Sequence, residues 1–116
     1  MARIVYRIVL ENPPSDRDLK SYQELGISIE RNDPDALRMA SGLSVYATLA
    51  YARRAAKRFP WKGKCFIAEI ALSDSDEAVV EQTGSNPRHY TLWCNEQIIR
   101  VAITRIVPVK VEIGDV

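Results

Sequence analysis

The alternation of apolar and polar positions opens the chain with a strand. Across Arg3–Leu10, Ile4, Tyr6, Ile8 and Leu10 fall on one side and Arg3, Val5, Arg7 and Val9 on the other, the period of two that a β-strand produces. Asn12-Pro13-Pro14 ends it, because proline has no N–H to give a ladder. Ser15 then predicts a helix N-cap, with Asp16 and Asp18 in a first turn that favours anions, and Gly26 as the stop after about Leu25. Ile27–Arg31 predicts a brief strand. Asp33-Pro34 caps a turn or two of helix over Asp35–Met39, Ser41-Gly42 makes a turn, and Leu43–Tyr46 returns to strand.

Thr48 caps the clearest helix, Leu49–Phe59, where Leu49, Ala52, Ala56 and Phe59 mark one face and Arg53, Arg54, Lys57 and Arg58 cover much of the rest. Pro60 stops it. Lys64–Leu72 is a nearly continuous apolar run, as expected of a central strand buried on both faces, interrupted by Glu69. Ala78–Thr83 and His89–Trp93 predict further strands around a turn at Gly84–Pro87, and Ile98–Val111 predicts a long β run bent at Pro108. Helices come early and strands late. That order predicts an α+β fold in one domain over residues 1–116: a small split or mixed, mostly antiparallel β core with two or three short helices.

Composition narrows the picture. With 47% hydrophobic and 27% charged residues the chain has the material for a core and lacks the one-sided charge of a disordered segment. The net charge of +1 selects no partner. Its distribution does more: Ala36–Ala68 holds Arg38, Arg53, Arg54, Lys57, Arg58, Lys62 and Lys64 with no acid, and Phe66–Pro87 holds Glu69, Asp74, Asp76, Glu77 and Glu81 with no base. A folded surface inherits a positive patch from this, either a plain solvated helix face or a grip for phosphates through Arg53, Arg54, Lys57 and Arg58. Cys65 and Cys94 lack CxxC spacing and the chain has one histidine, so neither a disulfide framework nor a zinc site is expected. No apolar run approaches the ~20 residues of a membrane helix. Together these predict a cytoplasmic protein without a metal.

Gly-rich phosphate loops, GxSxG, HExxH and CxxC are all absent from the sequence. What remains is polar residues inside strand patterns. Arg7 lies between Val5 and Val9, where a guanidinium must be paired or face a cleft. Glu69 sits in the most apolar strand and needs a partner, an interior arginine such as Arg7 being one. Ser44 and Tyr46 share a face of a strand leading into the basic helix. His89, Tyr90 and Trp93 cluster in one strand, offering a proton carrier and stacking surfaces. Glu96 stands before the last predicted strand.

In order, Arg7 in the first strand, Ser44 in Gly42-Leu43-Ser44-Val45-Tyr46-Ala47-Thr48 before an Ala-rich helix, the apolar strand Phe66–Leu72, and Glu96 opening a late strand resemble the ADP-ribosyltransferase-like superfamily, its small toxin-type members especially. The resemblance implies a split β core with NAD in the cleft. Arg7 would hold the cofactor's phosphates and ribose, Ser44 would support the site, and Glu96 would stabilise the oxocarbenium-like transition state. Tyr46, His89 and Tyr90 would complete the cofactor site, the last two matching the family's histidine-bearing branch. The family's Ser-Thr-Ser motif reads Ser44-Val45-Tyr46 here. The resemblance further implies a toxin or effector that modifies a protein or nucleic-acid target and meets a cognate inhibitor or antitoxin. Two other classes stay open: a nucleic-acid-binding or ribonuclease domain using the basic stripe with His89 as acid–base group, and a non-catalytic protein-interaction module.

Overall fold

The computed structural model describes residues 3–28, 33–58 and 65–109. Among these residues, six antiparallel strands form one sheet in the order β4-β5-β2-β1-β3-β6, accompanied by four short helices. The strands are β1 (Arg3–Val9), β2 (Leu43–Tyr46), β3 (Phe66–Leu72), β4 (Val79–Gln82), β5 (His89–Trp93) and β6 (Ile103–Pro108). The helices are α1 (Tyr22–Leu25), α2 (Pro34–Ala40), α3 (Leu49–Ala56) and α4 (Glu96–Ala102). The fold is α+β. No helix among the described residues is long and apolar enough to cross a membrane.

Local chemistry sets most boundaries. Ser21 and Glu24 form a reciprocal capping box at α1, and Gly26 closes that helix in the left-handed region at φ 70°. Asp33 accepts from Ala36 N with Pro34 at the first helical position, and Thr48 accepts from Tyr51 N at the start of α3. The helix expected from Ser15 to Leu25 is instead a 3-10 turn over Arg17–Leu19 followed by α1. Lys20 between them is extended, and Ser21, not Ser15, is the helix cap. Most of the strand expected at Ile27–Arg31 lies outside the described residues, as does Phe59.

The long β run expected over Ile98–Val111 divides. Its first part is α4, begun by Asn95, whose side chain accepts from Gln97 N, and among the described residues the strand is Ile103–Pro108. A cap and a core position for Ile99, which is fully buried, outweigh the β-propensity of Ile98, Ile99 and Val101.

Both faces of the sheet are covered. On one, Val5, Leu43, Val45, Ile70, Leu72 and Leu92 pack with Leu19 and with Ile99 of α4. On the other, Ile67, Tyr46, Cys65 and Val109 pack with Ala52 and Ala56 of α3. Each fully buried Ile or Leu contributes about 1.5–3 kcal/mol relative to exposure. The sheet has a seam. β1 runs in register with β3 from Arg3↔Leu72 to Val9↔Phe66, and β2 with β5 from Leu43↔Leu92 to Tyr46↔His89. Between the halves, β1 and β2 share a single register pair, Tyr6↔Tyr46.

Candidate functional site

Where β1 and β2 part, a cavity of about 810 Å³ opens. Arg7 and Ile8 line it from β1 and Ser44 and Tyr46 from β2. An apolar wall comes from Leu10, Tyr22, Leu25 and Ile27 with Ala36 and Met39 of α2, and Glu11, Arg17 and Lys20 add charge.

Arg7 is the unusual member. Its Nε donates to Asp18 O at 2.9 Å and its Nη1 to Ser44 O at 2.8 Å, so one side chain spans the parting between the strands. Among the described residues it makes no ion pair, and its Nη2 is neither hydrogen-bonded nor sealed from solvent. Burial presses the guanidinium below its ordinary value, with the Asp18 charge opposing. Asp18 is a poor counter-ion because its carboxylate is already spent. It accepts from Leu10 N at 2.9 Å and from Glu11 N and Ser15 N at 3.1 Å each, fixing the loop after β1.

Tyr46 is buried beside Arg7. Burial pushes its hydroxyl up, and Arg58 and Arg7 pull it down. His89, its register partner, meets the Tyr46 ring edge-on at 5.5 Å. The His89 ring turns away into the β4–β5 hairpin, where Nδ1 lies 3.1 Å from both Thr83 O and Thr83 Oγ1. A carbonyl only accepts, so Nδ1 carries a proton for that bond. Thr83 Oγ1 continues to the buried Thr91 at 2.7 Å. His89 is not among the residues that line the cavity.

Of the residues expected to hold a cofactor or act on it, the structure therefore gathers Arg7, Ser44 and Tyr46. Tyr90 goes elsewhere: it alternates with His89 onto the opposite face, packs on the core of Val5 and Leu43, and carries Arg3 over its ring at 5.2 Å. Glu96 opens a helix, not a strand, and lies outside the cavity lining. It pairs with Arg100 at 3.2 Å one turn along, and Arg100 also reaches Asp16 at 2.8 Å and Pro14 O at 3.1 Å. That cluster fastens α4 to the loop after β1.

Glu69 does not pair with Arg7. In the register Tyr6↔Glu69 and Arg7↔Ala68, Glu69 shares a face with Tyr6 and Arg7 faces away. Its carboxylate accepts from Thr104 Oγ1 at 2.7 Å, Tyr6 OH at 3.1 Å and Arg105 Nε at 3.3 Å, and these bonds, that of Thr104 foremost, hold it below its ordinary value.

The basic stripe lies along α3. Arg54 and Arg88 place their guanidiniums 5.2 and 5.0 Å from the Tyr51 ring centre, and Lys57 and Arg58 are exposed. Arg53 Nε is buried without a hydrogen-bond partner. The sequence pattern named Asp18 only as a first-turn acid and did not single out Glu11, Tyr51 or Arg88. Asp18 had a local signal, an acid following Ser15 in a proline-flanked loop; the meeting of Arg88 with Tyr51 had none, since it depends on strand pairing. Both cysteines are free thiols, and no group of three or more potential metal ligands occurs among the described residues. Comparison with family models, with curated proteins and with solved structures finds no match.

Proposed function

We propose that the chain is an ADP-ribosyltransferase-like domain that binds NAD in the cleft at the seam of its sheet. The observation that carries this is Arg7: a half-buried cation with no carboxylate partner among the described residues, on the wall of a cavity of about 810 Å³. A guanidinium drawn partly out of water, with backbone carbonyls as its hydrogen-bond partners, gains from a ligand that supplies the counter-ion. A planar guanidinium suits the oxygens of a diphosphate, and the volume falls in the range of small-molecule sites. The apolar wall of Leu10, Tyr22 and Ile27, each exposed at its edge, suits a flat aromatic ring. Ser44 Oγ, which has no hydrogen bond among the described residues, is available to a ribose hydroxyl.

This reading assigns no role to Glu96, which Arg100 holds outside the cleft. Release of nicotinamide needs a carboxylate to meet developing positive charge. Of the two acids lining the cavity, Asp18 is consumed by backbone amides, which leaves Glu11 for that part. The ribonuclease reading receives no acid–base group in the cleft from His89.

Calorimetric titration with NAD tests the proposal. Wild type binds, and Arg7→Lys, which keeps charge but loses the fork, binds roughly tenfold or more weakly. Glu11→Gln retains binding and loses nicotinamide release. Absence of any NAD-dependent heat or shift in melting temperature, or equal affinity in Arg7→Lys, refutes the assignment.

A further inference from the structure

We propose that the outer face of α3, together with the turn carrying Arg88, is a docking surface for single-stranded nucleic acid. It shares no lining residue with the cleft, so it stands or falls independently of NAD binding. Four exposed cations gather there, namely Arg54, Lys57, Arg58 and Arg88, and none makes an ion pair among the described residues. Three arginines elsewhere are paired by contrast: Arg38 with Glu81, Arg100 with Asp16 and Glu96, Arg105 with Glu69. No acid occurs between Ala36 and Ala68 to neutralise the face from within. Like charges so placed repel one another, and a polyanion relieves that repulsion.

The arrangement around Tyr51 selects among polyanions. Two guanidiniums from different elements, Arg54 on α3 and Arg88 before β5, flank one ring. Aromatic and guanidinium planes are the surfaces on which unpaired bases stack while neighbouring cations take the phosphates. A duplex keeps its base faces hidden, which points to a single strand. A membrane or an apolar protein surface would be met by exposed large hydrophobic side chains, and the seven such residues among those described lie elsewhere: none is on α3 or beside Arg88.

Fluorescence anisotropy with a labelled oligothymidylate of about 20 nucleotides tests the surface, titrated between roughly 50 and 200 mM salt. Wild type binds, with log affinity falling linearly against log salt. Replacing Arg54, Lys57 and Arg58 together by alanine lowers that slope by about 2. Tyr51→Ala weakens binding roughly tenfold at fixed salt, whereas Tyr51→Phe does not. Arg88→Ala, a single exposed change, weakens it too and guards against misfolding of the triple variant. Arg105→Ala on β6 leaves binding unchanged. The proposal is overturned by any of three results: no binding at low salt, binding that survives the triple substitution in a folded protein, or phosphatidylserine vesicles or polyglutamate bound as tightly as the oligonucleotide.

Discussion

A buried carboxylate is worth most where backbone donors satisfy both of its oxygens, and Asp18 meets that condition in the segment between β1 and α1. Its oxygens accept from Leu10 N, Glu11 N and Ser15 N, and its own carbonyl holds Arg7 Nε. Asp18→Asn places an amide against the two backbone donors that Oδ2 now serves. We expect a loss of roughly 2–4 kcal/mol, read as a lower urea midpoint at unchanged slope, and weaker ligand binding in the cleft because Arg7 loses its support. Glu69 gives a second prediction. Its folded value lies below the ordinary 4.5, so its contribution to stability is present above that value and is lost as pH falls through the depressed one. Thr104→Val removes the nearest donor. The gap in urea midpoint between wild type and Thr104→Val should be largest near neutral pH and shrink in acid; a gap that does not narrow refutes the assignment. Arg7 and Ser44 stood out in the sequence because a polar residue inside an alternating apolar pattern is visible locally. Their partners were not visible, since register decides them: one residue's offset turns Glu69 toward Tyr6 and away from Arg7.

At the scale of elements, caps and turns were legible and competition between propensities was not. Asp33-Pro34, Thr48 and Gly26 each act where their chemistry says they should. Residues 98–102 read as β because Ile and Val dominate, yet they form a helix, and the signal for it was Asn95 with Glu96 following in the first turn. Asn95→Ala should cost about 1 kcal/mol, and because Ile99 is buried on α4 the loss should register in global unfolding, not as fraying alone. Gly42 supplies a sharper test at the entrance to β2. A Cβ there would stand 2.5 Å from Thr91 Cγ2, 2.9 Å from Leu92 O and 2.9 Å from Trp93 Nε1. Two of these are a backbone oxygen and an indole held by Ser41, so relief is costly. Gly42→Ala should destabilise by roughly 1–3 kcal/mol, whereas most alanine replacements of surface glycines do less. An unchanged thermal midpoint would show that β5 shifts freely away from β2.

For the molecule as a whole, the α+β class followed from the order of elements, but the strand order did not, because neighbours such as β3 and β6 are far apart in the chain. That order creates the seam, and the seam has a dynamic consequence. The β1–β3 ladder is long and the β2–β5 ladder is continuous, but one register pair, Tyr6↔Tyr46, joins the two. Few backbone bonds across a junction lower the free energy of opening there relative to global unfolding. Native-state hydrogen exchange should therefore show two groups. Amides of Ile67 and Ile70 should exchange through global unfolding, and those of Val45 and Leu92 through a cheaper opening in which the β4-β5-β2 half moves as a unit. A ligand held by Arg7 on one side of the parting and Ser44 on the other ties the halves together. Saturating NAD should thus slow exchange most in β2 and β5, and Arg7→Lys should abolish that protection. Uniform protection in the free protein would show instead that side-chain packing of Tyr46, Arg7 and the cores on both faces makes the seam as strong as the ladders beside it.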